Sequence, residues 1–144
     1  MFELSLQTAG RTEMKNITAK LHKLVRDNGF EEGALLVFSP HTTAGLTINE
    51  AADPDVAADI TGFMNRLAPQ SAAFSHAEGN SDAHIKASLF GPQVLIPVSG
   101  GTLRLGTWQG VYFCESDGPR KRSVWVQFLN ASGGQGAALH PAGD

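Results

Sequence analysis

Four strand-like stretches crowd the second half of this sequence with almost nothing between them, and that limits the folds open to it. Gln93–Pro97, Thr102–Leu105, Thr107–Glu115 and Ser123–Leu129 read as strands, and Gly100-Gly101 and Asp117-Gly118 are hairpin turn pairs. Strands joined by such short turns pair antiparallel, so the last three or four are expected to form a meander.

The first half supplies helices. Phe2, Leu4 and Leu6 alternate with Glu3, Ser5 and Gln7, the period of a half-buried strand. A helix is predicted over Glu13–Asn28, with Met14, Ile17, Leu21, Leu24 and Val25 on one face and Lys15, Lys20, Lys23 and Arg26 on the other. Gly29 closes it. Ala34–Phe38 is an apolar run short enough for a buried strand, and Ser39-Pro40 ends it. Leu46–Ile48 reads as another strand. Asp53-Pro54 starts a second helix, aspartate capping the free amides and proline taking the first helical position. Ile60, Phe63, Met64 and Leu67 are its expected buried face, and Pro69 stops it. Asn80 or Ser81 caps a short third helix over about Asp82–Leu89, closed by Gly91-Pro92.

Three helices and about seven strands in mixed order argue for one α+β domain with largely antiparallel sheets. The 144 residues fit a single domain able to bury a core without staples. That domain is expected over 1–130, with 131–144, rich in Gly and Ala and without periodicity, as a flexible C-terminal tail.

The net charge of −3 lacks the electrostatic footprint of a nucleic-acid binder. Arg120-Lys121-Arg122 is the one dense basic run, and its size suits a small anionic group such as phosphate. A single cysteine, Cys114, permits no intramolecular disulfide and suits a reducing compartment; within an apolar strand it reads as inert. The first residues do not read as a secretory signal, and no stretch approaches the ~20 apolar residues that span a bilayer. The expectation is a cytoplasmic protein without a membrane partner. Walker loops, Gly-x-Ser-x-Gly elbows and dinucleotide fingerprints are missing from the sequence.

Of the histidines, His22 sits among polar helix positions and His140 in the tail, and both read as solvated. His41 leaves a buried strand, His76 lies in a loop, and His84 falls in the first turn of the third helix. Three imidazoles from separate elements suit a transition metal with an open position, although their spacing matches no standard motif and scattered hydrogen-bonding histidines are the alternative. His84 and Ser88 share a helix face. Asp82 either borders an anion site at that helix start or merely favours the helix dipole. Thr42, Thr43 and Asn49 surround the turn after His41 and either bind phosphate or satisfy the turn. Thr107, Trp108 and Gln109 lie between glycines that allow close backbone approach. Across a tight hairpin, Glu115 and Arg120 or Arg122 can pair. This is either a surface salt bridge of little worth or an acid–base carboxylate beside a phosphate-holding guanidinium.

His41-Thr-Thr-Ala-Gly-Leu-Thr-Ile-Asn-Glu50 followed by Asp53-Pro54-Asp55 resembles the first block of the YjbQ-like family, the secondary thiamine-phosphate synthases. His76 with Asn80, Asp82, Ala83, His84 and Lys86 resembles the second block, and Leu105–Gln109 with Glu115, Asp117, Gly118, Arg120 and Arg122 the third. The similarity runs from about Phe2 to Leu129. It implies a seven-stranded, mainly antiparallel β-sandwich with flanking helices, assembled as a homotrimer. It implies a metal pocket at His41, His76 and His84, and three imidazoles favour zinc among divalent metals. It also implies thiamine-phosphate synthesis, in which a pyrimidinylmethyl diphosphate is joined to a thiazole phosphate with release of diphosphate. Lys86, Arg120 and Arg122 would then neutralise phosphates and Trp108 would lie against a ring. Thr42, Thr43, Asn49, Asn80, Ser88, Thr107 and Gln109 are further candidate substrate contacts, and Glu115 and Asp82 are the catalytic candidates, either one shuttling the proton if a metal activates water for hydrolysis. Diphosphate is more often handled by magnesium on carboxylates. The alternatives are therefore a zinc-type hydrolase of a small phosphorylated or amide substrate and a non-catalytic trimer that binds a metal or small ligand.

Overall fold

The computed structural model describes residues 1–131. The tail expected over 131–144 therefore lies, beyond Ala131, outside the described residues. In chain order the elements are β1 (Phe2–Gln7), β2 (Glu13–Asn16), α1 (Thr18–Asp27), β3 (Gly33–Phe38), β4 (Ala44–Glu50), α2 (Pro54–Leu67), α3 (Ser81–Phe90), β5 (Gln93–Ser99), β6 (Thr102–Leu103), β7 (Gln109–Glu115) and β8 (Lys121–Asn130). The fold is α+β, with three helices and eight strands among the described residues. The strands form a five-stranded sheet in the order β1-β8-β3-β5-β6 and a three-stranded sheet in the order β2-β7-β4. Every pairing is antiparallel.

Both sheets feed one core. Leu6, Leu35, Val37, Ile96, Val98, Val124 and Val126 enter from the larger sheet, and Ala44, Leu46, Val111 and Phe113 from the smaller. Leu21, Leu24 and Val25 of α1 join them. Each large apolar side chain buried here contributes about 1.5–3 kcal/mol.

The expected meander forms only in part. β5 and β6 make a hairpin, Val98 opposite Leu103. β7 and β8 lie in different sheets, so the chain at Asp117-Gly118 crosses between sheets instead of turning a hairpin. The burial of β7 explains this. Gly110 to Glu115 are all buried, which suits the central strand of a sheet with β2 and β4 on either side. β8 alternates over its first half and sits between β1 and β3.

The predicted first helix loses its beginning for the same reason. Glu13–Asn16 is a strand, with Met14 opposite Cys114, and the ladder continues through the Ile17 N–H donated to Val111 O at 2.9 Å. Apolar residues at Met14, Ile17 and Leu21 fit a helix locally, but β7 needs a second neighbour.

Helix α2 begins as expected, with Asp53 accepting the Asp55 N–H at 2.9 Å and Pro54 following. Its apolar face is not buried as predicted: Phe63 and Leu67 are 57% and 56% exposed. Helix α3 packs against β4. A Cβ on Gly45 would stand 2.7 Å from Gly91 O and 2.9 Å from Phe90 Cβ, so only glycine lets the end of α3 come this close. The Leu46 N–H donates to Gly91 O at 3.0 Å across the same contact. Leu95, Trp125 and Leu129 remain exposed on the larger sheet, and Phe38 stacks on Trp125 at 5.9 Å. No helix among the described residues is long and apolar enough to cross a membrane.

Candidate functional site

The register of the smaller sheet divides the expected site residues into two groups. Ala44 pairs with Glu115 at one end, and Glu50 pairs with Gln109 at the other. Thr42, Thr43 and Glu115 therefore gather at one end. Asn49, Thr107, Trp108 and Gln109 gather at the opposite end, about 16 Å away along the strands. Thr107 and Trp108 form a turn, not a strand. Gln109 Oε1 accepts the Gly106 N–H at 2.8 Å and closes that turn, and Asn49 Oδ1 accepts the Glu50 N–H at 2.7 Å. Trp108 is 63% exposed. Within one chain these four do not share a pocket with the histidines, which corrects their expected place beside the other substrate contacts.

Glu115 is a saturated carboxylate. Arg122 Nη2 donates to Oε1 at 2.6 Å and Arg122 Nε to Oε2 at 2.8 Å. Thr8 Oγ1 donates to Oε2 at 2.9 Å, and the Ser116 and Asp117 amides both donate to Oε1 at 3.0 Å. Burial pushes its pKa up, but hydrogen bonds from Arg122, the Asp117 amide and Thr8 outweigh burial and hold it below the usual carboxylate range. With five donors it has no lone pair to spare, and the expected acid–base role is corrected to one of positioning. Arg122 is equally committed. Its side chain is 4% exposed, that of Glu115 0%, and Arg122 Nη2 also donates to Thr43 Oγ1 at 2.8 Å. Arg122 and Thr43 thus serve this internal network, not a ligand, and the pair is no surface salt bridge.

A second network opens on a cleft. Asp82 accepts from Arg11 Nη2 at 3.0 Å and from Lys86 Nζ at 3.0 Å, and the Asp82 and Lys86 side chains are 1% and 3% exposed. Arg11 Nη1 also donates to Asp117 Oδ1 at 3.1 Å. Asp117 Oδ2 accepts from Asn80 Nδ2 at 2.9 Å and Arg120 Nη2 at 3.2 Å. Asn80 therefore spends its amide on Asp117 and makes no side-chain cap on α3, and its Oδ1 is buried with no partner. Burial raises the pKa of Asp82, but Lys86 and Arg11 together hold it below the usual range, so it stays an anion and is no proton donor. Arg11, Asp82 and Lys86 line a cleft of about 460 Å³ with Thr12, Asn65 and Gln70. Arg11 was not singled out in the sequence. Its only signal was long-range, since the acids Asp82 and Asp117 need cations once buried.

The histidines surround α3. His41, Thr42, His84 and Ser88 line a cleft of about 360 Å³, and Ser88 Oγ donates to the His84 carbonyl at 2.9 Å. The His76 and His84 rings meet edge to face at 5.3 Å. His76 Nε2 lies 3.6 Å from Glu78 Oε2. His41 Nε2 lies 3.0 Å from Ser123 O and 3.1 Å from Ser123 N, so this backbone holds the ring. Burial lowers the His41 pKa and the Arg122 charge lowers it further, leaving the ring neutral at pH 7. His84 is near both other rings, but the three do not converge. Among the described residues no three His, Cys, Asp or Glu side chains stand together where a metal ion could sit. His41 is held toward Ser123 and His76 leans to Glu78, so the three-histidine metal set is not assembled.

The sequence model of the family described as "UPF0047 protein YjbQ-like" matches residues 2–131. A UPF0047 protein of Methanocaldococcus jannaschii is 43% identical over 129 residues, covering 90% of this chain and 94% of the relative. The UPF0047 protein YugU of Bacillus subtilis is 43% identical over 127 residues, covering 88% of this chain and 96% of YugU. A YjbQ/UPF0047 family crystal structure from Clostridium acetobutylicum superposes with a TM-score of 0.87 at 48% identity, covering 90% of this chain and 100% of that one. A hypothetical protein from Aeropyrum pernix superposes with a TM-score of 0.86 at 35% identity, covering 90% of this chain and 98% of that one.

Proposed function

This chain belongs to the UPF0047 YjbQ-like family, and on that premise we propose that it is an enzyme acting on a small phosphorylated molecule in the Arg11–Asp82–Lys86 cleft, with thiamine-phosphate synthase-like activity. One observation carries this reading: the Asp82–Lys86 pair is buried, yet it forms the wall of a cleft, with Arg11 bridging it to Asp117. Burying each ion costs several kcal/mol even after relaxation, so a pair held beside open space points to a ligand for those charges.

The chemistry of the transfer agrees with this set. The C–O bond to diphosphate breaks with its electron pair leaving on diphosphate, and the lone pair of the thiazole nitrogen forms the new C–N bond. No proton has to leave in that step. Stabilised charge is needed rather than a base, and Arg11 and Lys86 provide held cations on the cleft wall while saturated Glu115 stays out of the reaction. The buried Asn80 Oδ1 offers an acceptor to a ligand N–H or a water.

A divalent metal, zinc before others, belongs to the proposal only as an addition. His84 and His76 would hold it as a pair; as arranged the residues do not fit a three-histidine centre, and no step passes through a metal. We also read the two sheets as a β-sandwich of seven full strands beside the two-residue β6, in a cytoplasmic homotrimer packed through the apolar face around Trp125. In a trimer, Asn49 and Trp108 would reach the ligand only from a neighbouring subunit. Nucleic acid and membrane are not proposed partners.

Incubating the purified protein with both precursors and quantifying thiamine phosphate and diphosphate tests the reading. Equal amounts of the two products are expected. Diphosphate release without thiamine phosphate would favour the hydrolase, for which neutral His41 in the cleft with His84 is the candidate base. Saturable binding without any product would favour the non-catalytic trimer.

A further inference from the structure

A third cleft gathers cations for which the fold has no use. It measures about 470 Å³ and is lined by Ser5, Leu6, Gln7, Lys15, Lys20, Lys121 and Arg122. It shares no lining residue with the Arg11–Asp82–Lys86 cleft. Its lysines come from three elements: Lys15 from β2, Lys20 from α1 and Lys121 from β8. No carboxylate lines it, and among the described residues none of these three lysines makes an ion pair. Arg122 at its wall is held by Glu115 and so is not counted as a ligand group.

This concentration is not a by-product of composition, because the chain as a whole is at −3. The neighbouring cleft along β1 shows the ordinary arrangement. There Lys20 and Lys23 lie among Glu3 and Asp27, and Lys23 is paired with Asp27.

Helix α1 supplies an independent observation. Ile17 at its N-cap makes no side-chain cap, and its first turn carries no acid. Asn16 Oδ1 accepts the Thr18 amide at 3.0 Å and the Thr18 hydroxyl at 2.6 Å. Lys20 occupies that first turn, where the positive end of the helix dipole opposes a cation. Three ammonium groups around one cleft without a carboxylate raise the local potential in the way that recruits an anion.

We propose that this cleft is a binding site for a small phosphorylated anion, held by Lys15, Lys20 and Lys121. Lysines carried on three elements of a rigid frame suit the compact multiple charge of a phosphate or diphosphate group. The site stands whether or not precursor transfer occurs in the other cleft.

The test is titration of the full chain with inorganic diphosphate, followed by calorimetry and by the amide shifts of Leu6, Gln7, Lys15 and Lys121. Saturable binding is expected, weakening as salt rises because Debye screening shortens the field. Single Lys15→Gln, Lys20→Gln or Lys121→Gln changes should each weaken it by about three- to tenfold, as expected for one charge at partly solvated contact distance. The triple variant should lose the diphosphate-dependent amide shifts at Leu6 and Gln7, while any shifts at Arg11 and Lys86 in the other cleft persist. Lys23→Gln, outside the cleft and already paired, should bind as the parent does, and circular dichroism should show all variants folded. Undiminished shifts at Leu6 and Gln7 in the folded triple variant, no saturable binding by the parent, or parent shifts confined to Arg11 and Lys86 would each overturn the proposal.

Discussion

Replacing Arg122 by methionine is the sharpest test of how the site end of the fold is held. Arg122 gives Glu115 two of its five hydrogen bonds, with both side chains out of water. Charge-assisted hydrogen bonds contribute about 1.5–3 kcal/mol each, and breaking one side of a buried pair typically costs about 3–5 kcal/mol. Arg122→Met should therefore lose about 3–5 kcal/mol, a large share of the ~5–15 kcal/mol a domain has. In urea, with a slope near ~2 kcal/mol per molar, the midpoint falls by about 2 M. The pH dependence has a definite sign. In the parent, burial raises the Glu115 pKa, but the hydrogen bonds from Arg122, the Asp117 amide and Thr8 bring it below the ordinary value. Its contribution is present above the unfolded pKa and is lost as pH falls through the folded one. Without Arg122, burial dominates and the folded pKa lies above the unfolded value. That variant is penalised at neutral pH and relieved as the carboxyl protonates, so the gap between parent and variant should narrow from pH 7 to pH 4. Adding Glu115→Gln should restore at least half of the loss at pH 7, because no buried charge is then stranded. A deficit below about 1 kcal/mol, or one constant across that pH range, would refute the account.

Gly45→Ala should lose about 1–3 kcal/mol by forcing α3 away from β4, and an unchanged Tm in calorimetry would show that the contact is not tight. His41 has a folded pKa lowered first by burial and then by Arg122, so its contribution is present above the unfolded histidine pKa and is lost as pH falls below it; Tm should drop from pH 7.5 to 5.5 with a shallower slope in His41→Gln. Leu95→Asp with Trp125→Asp should convert the proposed trimer to monomer in light scattering, and a trimer that persists would place the interface elsewhere. If His84 anchors the proposed metal, His84→Ala should purify with less zinc than the parent by elemental analysis, and equal content would remove that assignment.

The parts of this fold that were legible in the sequence are those decided within a few residues. Asp53-Pro54 starts α2 because a carboxylate two residues from an amide caps it whatever the rest of the chain does. Gly91 ends α3 at φ +94 for the same local reason. Phe63 and Leu67 show where that logic ends, since helical spacing reveals an apolar face but not what covers it. The histidine blocks could be read as groups, yet whether rings converge depends on contacts such as His41 to Ser123, eighty-two residues apart, which no local pattern encodes.

Glu115 and Arg122 show how a correct pairing can carry the wrong energetics. Their spacing across Asp117-Gly118 suggests partners on a hairpin, where both would face water and the bond would count for little. The turn pair specifies a reversal of the chain, not which sheet receives the next strand. Continuous burial along β7 draws it between β2 and β4, while β8 goes to the larger sheet. The same two side chains then meet between the sheets, out of water. An unsaturated carboxylate could not persist there, so Thr8 from β1's end and the amides of Ser116 and Asp117 must all converge on it. That requirement fixes Thr43 through Arg122, and with it the turn that carries His41 and Thr42. Loss of the pair should therefore loosen the histidine cleft as well as the core.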